Sequence, residues 1–169
     1  MRRKRAVGLG VVGALVILSG GLALRGEDKA APADAGLTRA RKQVKMLDDL
    51  YKNAVVSITG IYKDGPPAVK VAKDLFAAME KAGHHSARLV DATGSPLNEA
   101  NLPKSDFEHR AVEAIKAGKA QYEEVGGTGD RRVLQVATVV PAVLPRCAGC
   151  HGVKEGDLLG FLRYELPIE

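Results

Sequence analysis

The feature that most constrains this chain is Cys147-Ala148-Gly149-Cys150-His151, near the C-terminal end. It holds both cysteines of the 169-residue sequence, with a histidine directly after the second. This is the attachment pattern of a c-type haem. Two thiols on one tight turn can each add across a vinyl group on the same porphyrin edge. The next residue then lies beneath the ring, where its imidazole can bind the iron from the proximal side. The spacing names Cys147 and Cys150 as the thioether carriers of one covalent haem c, and His151 as the axial iron ligand.

Three other uses of paired cysteines fit less well. A redox-active CxxC opens a helix after the first strand of a thioredoxin-like βαβ unit, whereas this pair comes late, after the strand-like residues 133–144. A structural zinc needs four ligands. The adjacent Cys150 and His151 can hardly both reach one tetrahedral metal, and there is no second cysteine pair. A plain disulfide leaves His151 without a role.

Charge removes another class. The formal net charge is +5, but Arg2, Arg3, Lys4 and Arg5 carry four of those charges and leave +1 for the rest. No basic stripe with interleaved aromatics follows, so nucleic acid is not an expected partner. The basic cluster precedes an uncharged, largely apolar run of 19 residues, Ala6 to Leu24. Residues 1–24 therefore read as a signal peptide or a membrane anchor, with the small residues Gly21-Leu22-Ala23 allowing cleavage after Ala23. Basic residues ahead of the run predict that the remainder is exported, to the periplasm or another extracytoplasmic space, either secreted or anchored to the cytoplasmic membrane. Export suits covalent haem attachment, which in bacteria takes place outside the cytoplasm.

Residues 25–36, rich in Ala, Asp and Pro, read as a linker, and 37–169 as one domain of roughly 130 residues, enough for a single core. From Leu37 the apolar positions Val44, Leu47, Leu50, Tyr51, Ala54, Val55, Ile58 and Ile61 recur at helical spacing. Lys63-Asp64-Gly65-Pro66-Pro67 is a stop and turn. A second helix is expected over Ala68 to Lys81, with Ala72, Leu75, Phe76 and Met79 on its apolar face. Ser86 to Asp91 has the look of a short strand. A loop through Asn98, Asn101 and Pro103 leads to a helix with Ser105 as N-cap and Glu108 completing a capping box. Strands are expected at 121–125, 133–140 and 158–168. Helices followed by strands on short turns predict an α+β fold with an antiparallel sheet, and the late motif places the haem between two sheet strands.

The order of several of these pieces resembles the Tll0287-like, or DUF3365, family of haem proteins. The resemblance is carried by Ala87-Arg88-Leu89-Val90, by Pro96-Leu97-Asn98-Glu99-Ala100-Asn101-Leu102-Pro103, and by Asp106-Phe107-Glu108. The motif with Gly152, and the closing Gly160-Phe161-Leu162-Arg163-Tyr164-Glu165-Leu166-Pro167, complete it. It implies a c-type haem on a PAS-like domain: an antiparallel sheet flanked by helices and preceded by an N-terminal helix. It also implies, in some members, a cysteine ahead of the arginine-containing strand as distal haem ligand. This chain has no third cysteine, so the sixth iron position falls to another residue, to water, or stays open.

Met46 is the favoured residue for that position, because it lies slightly off the main stripe of the first helix. Met79, on the apolar face of the second, is a second and weaker candidate for that position, its more expected role being to pack in the core. His84 and His85 read as a solvated pair in a loop, from which either could also reach the iron, and His109 as exposed. Arg88 has two readings: an ion pair with Asp91 or Glu108 on the surface, or neutralisation of a haem propionate. Arg132 and Arg146 are weaker candidates for the latter.

Two functional classes follow. One is a one-electron carrier or redox module with a redox partner protein. The other is a redox or gas sensor whose iron takes a small diffusible ligand such as nitric oxide and which signals through a separate partner. With no output domain after the motif, the carrier is the favoured expectation. No Ser/His/Asp set or carboxylate pair marks an enzyme.

Overall fold

A computed structural model describes residues 34–61 and 68–169. The expected leader and anchor at 1–24, nearly all of the linker, and the Lys63–Pro67 turn lie outside those residues. The elements run α1 (Ala35–Ile61), α2 (Ala68–Lys81), β1 (Ser86–Asp91), α3 (Asp106–Lys116), β2 (Gln121–Gly126), β3 (Val133–Pro141), α4 (Pro145–His151) and β4 (Leu158–Pro167). Short 3-10 turns at Glu99–Asn101 and Gly129–Arg131 complete the path.

The four strands form one antiparallel sheet in the order β1-β4-β3-β2. Successive side chains of a strand face opposite ways, so β4 divides its residues between two cores. Leu162, Tyr164 and Leu166 pack with Leu134 and Val136 of β3 against Val44, Leu47 and Tyr51 of α1 and Phe76 of α2. Phe161, with Ala137 and Val90, packs on the other face against Phe107, Ala111 and Ile115 of α3. The architecture is α+β and PAS-like, a helix-flanked antiparallel sheet preceded by the long α1.

Local signals account for several boundaries. The Ser105 side chain accepts the Glu108 N–H while the Glu108 carboxylate accepts the Ser105 N–H, the reciprocal box expected from the sequence. Helix α1 starts two residues earlier than Leu37, because the Asp34 carboxylate accepts the Leu37 N–H at 3.0 Å and caps the first turn. Arg132 also pairs with Asp34, at 2.5 Å, and is thereby spent on holding that end.

The helix faces differ from the expected ones. In α2 the buried stripe is Ala68, Ala72 and Phe76, while Leu75 is 42% exposed. In α1, Leu50 and Ile61 face outward. Sequence periodicity marks where apolar residues cluster on a helix; docking against the twisted sheet selects which part of the cluster is covered.

Candidate functional site

The motif forms α4, a seven-residue helix in the connection between the two central strands β3 and β4. Pro145 begins it, where a missing N–H costs nothing. Gly152 ends it with φ 67° and ψ 30°, a left-handed conformation that suits glycine. The connection is pinched shut at its base: Ala142 donates its N–H to Asp157 O, and Gly156 donates to Ala142 O, each at 2.9 Å. Within α4 the spacings i, i+3 and i+4 put Cys147, Cys150 and His151 on one face. Ala148, only 8% exposed, seats the helix, leaving Cys147 half-buried and Cys150 and His151 exposed. Both cysteines are free thiols, not a disulfide.

All three motif side chains line one cleft of about 310 Å³. Its walls are mostly apolar: Val55, Val56 and Thr59 of α1, Ala68, Val69 and Phe76 of α2, Leu89 and Val90 of β1, and Leu159 to Leu162 at the start of β4. Pro96, Leu97, Asn98 and Asn101, from the loop after β1, form a further side. Among the described residues no group of three or more His, Cys, Asp or Glu side chains could hold a metal ion by itself. Two thiols and an imidazole beside an apolar slot suit a flat apolar ring that brings its own metal, covalently held along one edge. The residues present fit a c-type haem.

Among the described residues four charged side chains border the slot: Lys52, Lys73, Asp91 and Arg146. Asp91 accepts hydrogen bonds from Thr93 Oγ1 at 2.8 Å and from the Gly94 N–H at 2.6 Å, and so is occupied in its own turn. Lys52 pairs with Asp48 at 2.9 Å. Asp48 in turn accepts from Thr138 Oγ1 at 2.5 Å and from the Tyr164 hydroxyl at 3.1 Å. Burial, and after it the Asp48 charge, push the Tyr164 hydroxyl well above the usual phenol range. Lys73 has no hydrogen-bond or ion-pair partner among the described residues.

Of the other sequence candidates Arg146 borders the cleft, and the structure separates the rest from it. Arg88 lies on the α3 face of the sheet, where it donates to both carboxylate oxygens of Glu108 at 2.8 Å and to the carbonyls of Ala100 and Leu102. Arg88 thus makes the ion pair of its first reading, with Glu108 and not Asp91 as the partner. The pair is not on the surface as expected, since Glu108 is only 2% exposed. Met46, 62% exposed, projects from α1 away from the core stripe of Val44, Leu47 and Tyr51, and does not line the cleft. Met79 is half-buried and does not line it either. His85 is no surface residue: it is 7% exposed, and its Nε2 lies 2.9 Å from the Tyr51 hydroxyl. His84 and His109 are exposed, as expected.

Lys52 and Lys73 were not singled out by sequence reasoning. A signal was present: Lys52 stands three residues before Val55, and Lys73 three before Phe76, so each falls within a cleft-facing helical stripe.

The fold and site define an α+β domain that presents a helical CxxCH turn at an apolar cleft. The Tll0287-like family model matches residues 27–159, and the chain belongs to that family. Among solved structures, a match titled "Crystal structure of the cyanobacterial heme-protein Tll0287" has 14% sequence identity and a TM-score of 0.47. It covers 82% of this chain and 97% of that one. Comparison with curated proteins finds no match.

Proposed function

We propose that this chain is a haem protein holding one haem c, with thioether bonds from Cys147 and Cys150 and His151 as the axial ligand, and that it serves as a one-electron redox module. The observation that carries this reading is the convergence of the three side chains of one helical face on a single apolar cleft. Family membership supports it, since the protein that gives the family its name is described as a heme-protein. The haem would supply reversible one-electron chemistry at its iron.

The chain's own residues do the rest. Cys147 and Cys150 hold the ring edge, and His151 sets the proximal side. Val55, Val56, Val69 and Phe76 exclude water from the ring face, which raises the weight of every charge nearby. The partner is a redox protein, met outside the cytoplasm after export through residues 1–24, whether these are cleaved or retained as an anchor. The reading is non-enzymatic.

One observation favours a second reading, a gas or redox sensor. Among the described residues lining the cleft there is no methionine, and His151 is the one histidine. An iron without a strong protein ligand on its distal side binds small diffusible ligands.

Protein matured with a c-type system, with Cys147→Ala and Cys150→Ala beside it, tests both. The wild type should keep haem through denaturing electrophoresis and each variant should lose most of it. A wild type with no haem-stain band overturns the proposal. Spectra of the reduced protein with carbon monoxide separate the carrier, which should be unreactive, from the sensor, which should bind within mixing time.

A further inference from the structure

Lys73 sits in the middle of the α2 stripe that faces the cleft, between Val69 and Phe76. Two nearby lysines, one on the same helix and one on α1, show what a lysine here is expected to do. Lys70 pairs with Asp74 at 3.5 Å on the solvent side, and Lys52 across the cleft pairs with Asp48 at 2.9 Å. Lys73 alone of these has no carboxylate among the described residues. Among the described residues the one acidic side chain lining the cleft, Asp91, is engaged by Thr93 and Gly94. A cation beside an apolar wall is costly once the cleft is filled and water leaves, unless the occupant brings the opposite charge. The occupant's chemistry is therefore specified beyond an apolar plate: it carries an acidic edge.

Resting on the haem reading above, we propose that Lys73 receives a propionate carboxylate of the bound haem. The primary ammonium donates to the carboxylate oxygens, and the pair forms as the ring enters. Lys52, already neutralised by Asp48, is not the anchor. The same geometry gives Lys73 a second consequence. A fixed positive charge near the ring favours the ferrous over the ferric state, so Lys73 holds the reduction potential up.

The test uses full-length haem-loaded protein with Lys73→Gln and Lys73→Arg, read by midpoint potential and by oxidised and reduced optical spectra. The expected result is a lower potential in Lys73→Gln, recovery of most of that shift in Lys73→Arg, and the wild-type spin state in all three. An unchanged potential in Lys73→Gln overturns the proposal, because a solvated lysine contributes nothing. An equal fall in both variants also overturns it. A change of spin state in both shows instead that the amine binds iron, which guanidinium does poorly. A wild type lacking the haem-stain band removes the haem reading itself; with the band present, only the assignment of Lys73 is at stake.

Discussion

Arg88 of β1 and Glu108 of α3 meet with one guanidinium nitrogen 2.8 Å from both carboxylate oxygens. The same carboxylate accepts the Lys104 and Ser105 N–H groups, and the other guanidinium nitrogen reaches the Ala100 and Leu102 carbonyls. One ion pair thus ties the edge strand, the loop after it and the start of α3 into a unit. Because Glu108 is buried, deleting either partner strands the other. Arg88→Ala or Glu108→Ala should each lower stability by about 3–5 kcal/mol in denaturant unfolding. The double variant should cost less than the sum of the two. Neither change should move the haem spectrum of protein that folds; a shifted potential in Arg88→Ala would return the guanidinium to the haem.

Met46→Ala should leave both the optical spectra and the midpoint potential where they are, and should alter stability by no more than about 0.5 kcal/mol. The side chain is 62% exposed and stands away from the cleft. Loss of a long-wavelength charge-transfer band in this variant would restore methionine as the distal ligand.

His85 makes stability depend on pH. Burial, with a smaller push from the charge of His84, holds its imidazole below the usual histidine range. The unfolded chain then takes up a proton at higher pH than the native one does. Stability from this group is full above about pH 6.5 and falls as pH drops below that value, until the native imidazole also titrates. The slope cannot exceed about 1.4 kcal/mol per pH unit. Urea midpoints at neutral and mildly acidic pH should therefore diverge more in the wild type than in His85→Gln. Equal divergence would mean that His85 titrates alike in the folded and unfolded chain, so that burial does not hold its imidazole down.

Gly160 and Gly149 should respond in opposite ways to alanine. A Cβ at Gly160 would collide with the Val90 carbonyl oxygen, inside the β1–β4 ladder where Gly160 faces Asp91. Gly160→Ala should cost about 1–3 kcal/mol through forced separation of the strands. Gly149 lies in α4 with nothing within 4 Å of its Cβ position. Gly149→Ala should gain roughly 0.5–1 kcal/mol of helix stability. Thermal midpoints of the two haem-loaded variants give the comparison directly.

The parts of this molecule that local chemistry dictates were legible in the chain. Ser86–Asp91 and Ala68–Lys81 have the boundaries that periodicity indicates, and the Ser105–Glu108 box is where the residues place it. The grouping of Cys147, Cys150 and His151 needed only spacing. What stayed hidden depended on partners far along the chain. Whether Arg88 meets a carboxylate or the cleft is decided by the pleat of β1, since one residue's shift exchanges the two sheet faces. His85 looks solvated beside Gly83 until Tyr51, 34 positions earlier, is brought against it. The cleft-facing role of Lys73 appears only once α2 is docked, because a lysine among apolar residues also suits a solvent-facing edge.

The pinched connection around α4 separates two events in time. Everything needed to attach a ring lies within five consecutive residues, so the bonds can be made on a chain that has no tertiary structure. The opposite wall, from α1 and α2, arrives only when distant segments meet. On the proposed covalent attachment, a ring tethered early at the middle of the sheet would offer a large apolar face on which those helices could assemble, and the cofactor would become a template for the last stage of folding.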